Sequence, residues 1–220
     1  MVQKDKNTDL VHISYSTPKT QSRVYLYNLK SKEKKLVKEQ IIPSGHNPDD
    51  YIVERFDCDS HDGRKVPITI TRHKKTNIDG NANLLLYGYG SYGNSISPSF
   101  SSTRLSLVNR DIIWVTAHIR GGLERGMKWW KEGKLLNKKN TFEDYIAAAK
   151  FLIEKKYTSK GKIIGMGGSA GGLLMGAVVN KAPELFSGIV MAVPFVDLSL
   201  IHISEPTRRY AISYAVFCLK

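Results

Sequence analysis

The sequence has few cysteines and no long apolar run. Its two cysteines, Cys58 and Cys218, match no metal-binding or redox spacing. A disulfide-stabilised secreted scaffold is therefore excluded, and free thiols in a reducing compartment are the default. No apolar stretch approaches the roughly 18 residues that a membrane span requires, and the polar residues 1–6 are not followed by an apolar segment. We therefore expect a cytoplasmic protein with no membrane partner.

Acidic residues are outnumbered by basic ones, and the formal net charge is +13. Such a charge can indicate binding to nucleic acid. The lysines, however, are mixed with glutamates in several separate segments, and neither an aromatic platform for single strands nor a recognition-helix motif accompanies them. We expect a solvated surface and no nucleic-acid partner, and we keep a non-catalytic basic binding protein as an alternative.

The strand pattern changes along the chain. Residues 11–42 form short alternating segments separated by turns, which predicts a meander of antiparallel strands. A hairpin is predicted over residues 51–72. The next strands, at 83–89 and 111–119, are more continuously apolar, which is typical of strands buried on both faces of a sheet.

A helix is predicted from residue 141 onward. Thr141, followed three residues later by Asp144, is interpreted as an N-cap signal related to the capping box. The apolar residues recur at the 3.6-residue period of one helix face: Phe142, Tyr145, Ile146, Ala149, Leu152 and Ile153.

Strands and helices alternate after this point. A strand at 162–166, a helix at 170–180 and a strand at 187–193 follow one another. This order implies right-handed crossovers between neighbouring strands. The predicted fold class is therefore α/β with a parallel sheet.

A glycine-rich turn at residues 165–172 contains a single serine. Ser169 lies in the pattern G-x-S-x-G at a predicted strand-to-helix junction. Small neighbours let strand and helix come close, so that a strained backbone presents the hydroxyl at the carboxyl end of the sheet. The amide of Ala170 then points to where an oxyanion forms. A nucleophile is favoured over a phosphate-binding loop, because the glycine spacing matches neither phosphate-binding pattern.

A second oxyanion donor is expected from a loop after an earlier strand. The segment 84–93 lies at that point and contains Tyr87, Tyr89 and Tyr92. A tyrosine hydroxyl can reach a developing negative charge, but any one of these side chains can equally pack a turn. The residues alone leave open which of them is the donor.

The histidines are badly placed for a catalytic base. In α/β hydrolases the order along the chain is serine, acid, then histidine. Only His202 follows Ser169, and it is too close to lie beyond another strand and helix. The remaining histidines precede the serine: His12, His46, His61, His73 and His118.

A series of short segments, in order and with characteristic gaps, carries a more specific signal than any one motif. Together they resemble the prolyl oligopeptidase family of serine peptidases, and most closely its oligopeptidase B branch. The segments are LLLYGYGSYG at 84–93, SFSSTRLSLVNR at 99–110, AHIRGG at 117–122, GKLLNKKNTFEDY at 133–145, GGSAGGLLMGAVVN at 167–180 and VPFVD at 193–197.

The resemblance implies both a fold and an activity. It implies an α/β-hydrolase domain capped by a β-propeller, and hydrolysis of short peptides after arginine or lysine with no cofactor and no metal. By position, Ser169 resembles the acylated nucleophile, Tyr89 the hydroxyl donor of the oxyanion hole and Ala170 its backbone donor. Tyr92 matches an aromatic wall of the pocket for the residue before the scissile bond.

The resemblance also implies a domain organisation. Residues 1–45 are interpreted as the end of the propeller's last blade, and residues 46–197 as the N-terminal part of the α/β-hydrolase domain. We interpret residues 198–220 as a tail that is unrelated to the family and artefactual in origin.

The sequence departs from the family at several points. Ser97 and Ser99 stand where relatives carry acidic residues that attract a second basic residue, and Leu123 replaces a glycine. After residue 197 the triad aspartate and histidine of the family do not follow; Asp197 matches a non-catalytic position, and His202 lies in the tail. We therefore expect an incomplete, inactive piece of a serine peptidase. An esterase on the same fold is the alternative, because G-x-S-x-G does not separate ester from amide hydrolysis.

Overall fold

The computed structural model describes residues 8–194 and the strand Tyr214–Cys218, which form two sheets. Within these residues, no helix combines the length and apolar character needed to cross a membrane. Asp197 and His202 lie outside the described residues, as does most of the predicted tail.

The smaller sheet has three strands, as the alternation over residues 11–42 predicts. β1 (Leu10–Tyr15), β2 (Arg23–Asn28) and β3 (Lys34–Glu39) follow one another, and each pairs antiparallel with the next. Every residue of β3 is exposed, so this sheet buries little apolar area by itself. Its assignment as the last propeller blade, and a domain boundary at residue 45, stay predictions.

The larger sheet has seven strands in the order β10-β9-β8-β6-β7-β5-β4. Its centre, β9-β8-β6-β7, is parallel as predicted. Both edges are antiparallel, because a short turn joins the first two strands as a hairpin and the last strand runs back along its neighbour. The sheet is therefore mixed. The strands are β4 (Tyr51–Asp59), β5 (Lys65–His73), β6 (Leu84–Gly88), β7 (Ile113–Ala117), β8 (Ile163–Gly168), β9 (Phe186–Ala192) and β10 (Tyr214–Cys218).

The α-helices connect the strands and cover the sheet. Two were predicted, α3 (Lys139–Glu154) and α4 (Ala170–Lys181). The sequence analysis missed α1 (Ser102–Val108) and α2 (Met127–Lys131), which have 7 and 5 residues and are too short to show a helical period. Short 3₁₀ turns lie at Pro48–Asp50, Leu135–Asn137 and Pro183–Leu185.

The apolar core has two parts, one on each face of the larger sheet. On one face, α3 and α4 bury the predicted stripe: Tyr145, Ile146, Ala149 and Leu152 are buried, and Phe142 and Ile153 pack against them. On the other face, Leu105 and Val108 of α1 pack against Leu85 and Trp114. Helices on both faces of the sheet are the expected way to cover its parallel central strands, which are apolar on both sides.

The interpretation of Thr141 and Asp144 as an N-cap signal is wrong. The helix α3 begins at Lys139, and both residues lie inside it. The Thr141 hydroxyl donates to Arg120 O at 2.9 Å instead of accepting from a helix amide. The Asp144 carboxylate accepts a hydrogen bond from Arg120 Nε. Both side chains that the capping pattern assigned to the helix end therefore bond Arg120, which is distant in sequence.

Part of the predicted tail belongs to the larger sheet. The strand β10 pairs antiparallel with β9, from Tyr214 opposite Ala192 to Cys218 opposite Gly188. The remainder, 198–213 and 219–220, lies outside the described residues, and the interpretation of residues 198–220 as an unrelated tail stays a prediction.

Candidate active site

The carboxyl ends of the parallel strands meet at one edge of the larger sheet. Gly168, the last residue of β8, lies opposite Ala192 of β9, and Tyr87 of β6 lies opposite Met166. The loop after β6, which contains Tyr89, and the turn after β8, which contains Ser169, therefore leave the sheet side by side. Open α/β sheets bind their ligands at this edge.

Ser169 occupies a strained backbone conformation between β8 and α4. Its φ of 53° and ψ of −119° lie in a region that side-chain-bearing residues rarely adopt. Two backbone hydrogen bonds hold the turn: Ser169 N donates to Ala192 O at 2.9 Å, and Gly172 N donates to Ser169 O at 2.8 Å. The serine is exposed. This is the geometry by which a nucleophile elbow presents its hydroxyl.

The two glycines before Ser169 have different steric roles. A Cβ at Gly167 would overlap the carbonyl oxygen of Gly171, where the strand and the helix α4 come closest. A Cβ at Gly168 would lie 3.4 Å from Ala192 O, which is ordinary contact. Close approach of two backbones, rather than flexibility, therefore explains the glycine at position 167.

We expect Gly167→Ala to lower the free energy of unfolding by about 1–3 kcal/mol, because the added methyl group would collide with the backbone of Gly171 and force the strand and the helix apart. Gly168→Ala is the matched control, and its free energy of unfolding should stay within about 0.5 kcal/mol of the wild type. Urea denaturation followed by tryptophan fluorescence measures both. Equal effects of the two changes would contradict this account of the turn.

One proposed oxyanion donor lies at the start of α4, and the other lies beside it in the loop after β6. Ala170 is the first residue of this helix and is 6% exposed; the first amides of a helix have no partner within it. Tyr89 is half-buried beside the same turn, since a Cβ at Gly171 would lie 3.5 Å from Tyr89 Cδ2. The structure thus places Ser169, Ala170 and Tyr89 close together, although Tyr89 comes from a separate segment; their catalytic roles stay a prediction.

Tyr92 lines a cavity of about 480 Å³ beside the serine turn, and it is 71% exposed. Ala170 forms part of the same wall. The sequence analysis missed the other side chains of this cavity. They include Trp130, Lys134, Leu135, Lys138 and Leu173. Several of them lie in segments that carry the family resemblance, but nothing in their spacing indicates that α2 and the turn before α3 line a cavity together with Ala170.

No described histidine is hydrogen-bonded to Ser169. His46 Nε2 lies 2.7 Å from Lys19 O, and His118 Nε2 lies 2.9 Å from Thr69 Oγ1. The described residues also contain no group of three or more histidine, cysteine or acidic side chains that could hold a metal ion. Within this part of the chain, the candidate site contains a hydroxyl and two candidate oxyanion donors, and no histidine is hydrogen-bonded to the serine.

A buried ion pair lies beneath the site. Arg120 and Asp144 are 1% and 0% exposed. Arg120 Nε and Nη2 donate to the two oxygens of Asp144 at 2.9 and 2.6 Å, and Ser60 Oγ donates to the same carboxylate at 2.5 Å. Burial alone would lower the pKa of Arg120, but its hydrogen bonds with Asp144 and Asp62 outweigh burial and raise it. The guanidinium therefore stays charged and fixes the loop after β7.

This loop supports the loop that contains Tyr89. Gly121, the residue after Arg120, comes so close to Gly90 that a Cβ at position 121 would overlap Gly90 O. Gly93 N in turn donates to Gly121 O at 2.9 Å. The two loops are therefore packed backbone against backbone.

A family model and the curated relatives of the chain point to the same family. Residues 98–215 match the prolyl oligopeptidase family. Dipeptidyl aminopeptidase BI of Pseudoxanthomonas mexicana is 44% identical over 195 residues, which cover 88% of this chain and 27% of that protein. Protease 2 of Moraxella lacunata is 44% identical over 192 residues, which cover 87% of this chain and 28% of that protein.

A solved structure agrees with these sequences. Oligopeptidase B from Trypanosoma brucei, in a closed form with covalently bound antipain, superposes with a TM-score of 0.82 at 39% identity. The match covers 89% of this chain and 28% of that one. The chain thus spans little more than a quarter of the length of its relatives. On sequence and structure alike, it belongs to the prolyl oligopeptidase family.

Proposed function

We propose that the full-length protein containing this chain is an oligopeptidase B-like serine peptidase, which hydrolyses short peptides after arginine or lysine through an acyl-enzyme on Ser169. The observation that carries the proposal is the exposed serine at φ 53° beside the start of α4, with an open cavity next to it. A serine that only filled a turn would gain nothing from this strain.

The proposed reaction has two steps. Ser169 Oγ attacks the carbonyl carbon of the scissile peptide, and its proton passes to a general base; the oxyanion accepts hydrogen bonds from Ala170 N–H and the Tyr89 hydroxyl. The carbon–nitrogen bond then breaks, and the leaving amine takes the proton from the base. Water next attacks the acyl-enzyme, releases the carboxylic acid and returns the proton to the serine.

We expect the general base to come from a part of the full-length protein outside the described residues. No described histidine is hydrogen-bonded to Ser169, and the hydroxyl is a poor nucleophile without a base. Loss of a triad histidine typically costs about 10⁶ in rate. The sequence places the remaining histidine, His202, too close after Ser169 to be the triad base, so we expect the 220-residue chain to show no turnover by itself.

The preference for a basic residue rests on the likeness to oligopeptidase B. Among the described side chains, the cavity beside Ser169 is lined by two lysines, Lys134 and Lys138, and by no carboxylate. The carboxylate that would select arginine therefore has to come from the remainder of the full-length protein.

We expect the full-length protein to hydrolyse a short fluorogenic peptide with arginine before the scissile bond about 100-fold faster, as kcat/KM, than the same peptide with citrulline. Citrulline keeps the shape of arginine but removes its charge, and losing one partner of a buried charge pair costs about 2–5 kcal/mol. The same peptide with proline is the control, because relatives of this chain include a prolyl endopeptidase. Equal hydrolysis of arginine and citrulline peptides, or faster hydrolysis after proline, would overturn the basic specificity.

A further inference from the structure

Lys138 connects the turn before α3 to the loop that contains Tyr89. Its Nζ donates to Gly90 O at 2.5 Å and to Ser91 Oγ at 2.8 Å. These two acceptors immediately follow Tyr89 in the chain. A single side chain therefore holds the segment next to the proposed oxyanion donor.

The loop needs such an anchor because its backbone is irregular. Gly90, Tyr92 and Gly93 have φ values of 64°, 55° and 67°, so the loop cannot continue a strand or form a helix. On one side, Gly90 packs tightly against Thr141 and the backbone of Arg120. Its carbonyl group is held on the other side by Lys138.

The ammonium group of Lys138 has no described carboxylate partner. Burial lowers its pKa to about 8, and burial is the single cause of the shift. Removing a charge from water is unfavourable unless hydrogen bonds compensate for it, and charge-assisted hydrogen bonds are stronger than neutral ones. The two acceptors on the Tyr89 loop are therefore what holds the ammonium group in this place.

We propose that Lys138 is a positioning residue of the oxyanion hole, which holds the Gly90–Ser91 segment so that the Tyr89 hydroxyl is aligned with the Ala170 amide before the substrate arrives. The inference rests on the proposed function of Tyr89 and Ser169. Lys138 also lines the cavity beside Ser169, but its ammonium group donates to the loop, and in the proposed role it acts through this loop and not on the substrate. Pre-aligned donors stabilise the transition state without reorganisation, so loosening them lowers kcat more than it weakens substrate binding.

The substitution Lys138→Met in the full-length protein tests whether Lys138 contributes to catalysis. We expect kcat for the arginine peptide to fall about 10- to 100-fold, because a misplacement of about 1 Å costs rates of that order, while KM changes less than about 2-fold. Lys138→Arg, which can donate to both acceptors, should restore a large part of kcat. Lys139→Met is the matched control: it removes the same charge from an exposed neighbouring residue and should leave kcat unchanged.

Hydrogen exchange of the same variants tests the anchor independently of catalysis. We expect amides of residues 88–94 to exchange at least about 10-fold faster in Lys138→Met than in the wild type or Lys139→Met, with residues 145–152 of α3 unchanged. If the wild type hydrolyses no peptide, the proposed function fails, and exchange alone decides whether Lys138 anchors the loop. Unchanged exchange would overturn the anchor. Faster exchange with an unchanged kcat, or with a raised KM alone, would overturn the positioning role.

Discussion

Replacing Ser169 with alanine in the full-length protein is expected to lower kcat for peptide hydrolysis by about 10⁵- to 10⁶-fold. The covalent route disappears with the hydroxyl, and only the oxyanion donors and substrate binding remain to accelerate attack by water. Alanine fits the turn without a new contact, because Ser169 is exposed and its side chain does not cap α4. Progress curves with a saturating arginine peptide measure the loss.

The matched control is Ser106→Ala on α1. Ser106 is also exposed, but it lies on the helix that covers the opposite face of the larger sheet from α4. The kcat of the Ser106→Ala variant should equal that of the wild type. A Ser169→Ala protein that keeps more than about a tenth of the wild-type kcat would show that another group is the nucleophile.

Asp144→Ala is expected to lower the free energy of unfolding by about 3–5 kcal/mol, the usual cost of leaving one charge of a buried pair without its partner. Asp144 accepts hydrogen bonds from the backbone amide and the side chain of Arg120 and from the Ser60 hydroxyl. Without it, the guanidinium stays buried with Asp62 as its remaining acid partner. Urea denaturation followed by tryptophan fluorescence gives the change.

Two further variants show whether the loss of stability comes from burial of the ion pair or from removal of a charge. Asp59→Ala removes the same charge from an exposed pair with Lys65, and surface pairs contribute only about 0–1 kcal/mol. The double variant Arg120→Met with Asp144→Leu should recover much of the lost stability, because apolar side chains can replace a buried ion pair. If Asp144→Ala and Asp59→Ala cost the same, the buried pair does not stabilise the loop after β7.

Much of the fold was predictable from periodicity. The stripe from Phe142 to Ile153 fixed the face that α3 buries, and the continuously apolar strands predicted the parallel centre of the sheet. The antiparallel hairpin of β4 and β5 was predicted and is confirmed. The antiparallel pairing of β5 with β7 and of β10 with β9 was not predicted, since the direction of such a strand depends on how the chain returns to the sheet. The helices α1 and α2 were missed because a helix of 5 or 7 residues completes too few turns to show a period.

The candidate site was predictable where chemistry forces a local pattern. The glycines around Ser169 are required by a turn in which two backbones touch, so the sequence reveals the turn. The tyrosine of the oxyanion hole could not be predicted in this way. Three tyrosines lie within a few residues, and only the family resemblance selected Tyr89. Lys138 and the pair of Arg120 with Asp144 act across distant segments, and spacing along the chain cannot show which side chains meet in space. The same reason explains why Asp144 was misinterpreted as part of a helix cap.

The most direct measurement is mass spectrometry of the full-length protein after reaction with a fluorophosphonate, which phosphonylates an activated serine nucleophile with loss of fluoride and blocks it. We expect one adduct, located on Ser169, and a loss of peptide hydrolysis in proportion to its formation. An adduct on a different residue, or hydrolysis that continues with Ser169 fully modified, would contradict this assignment.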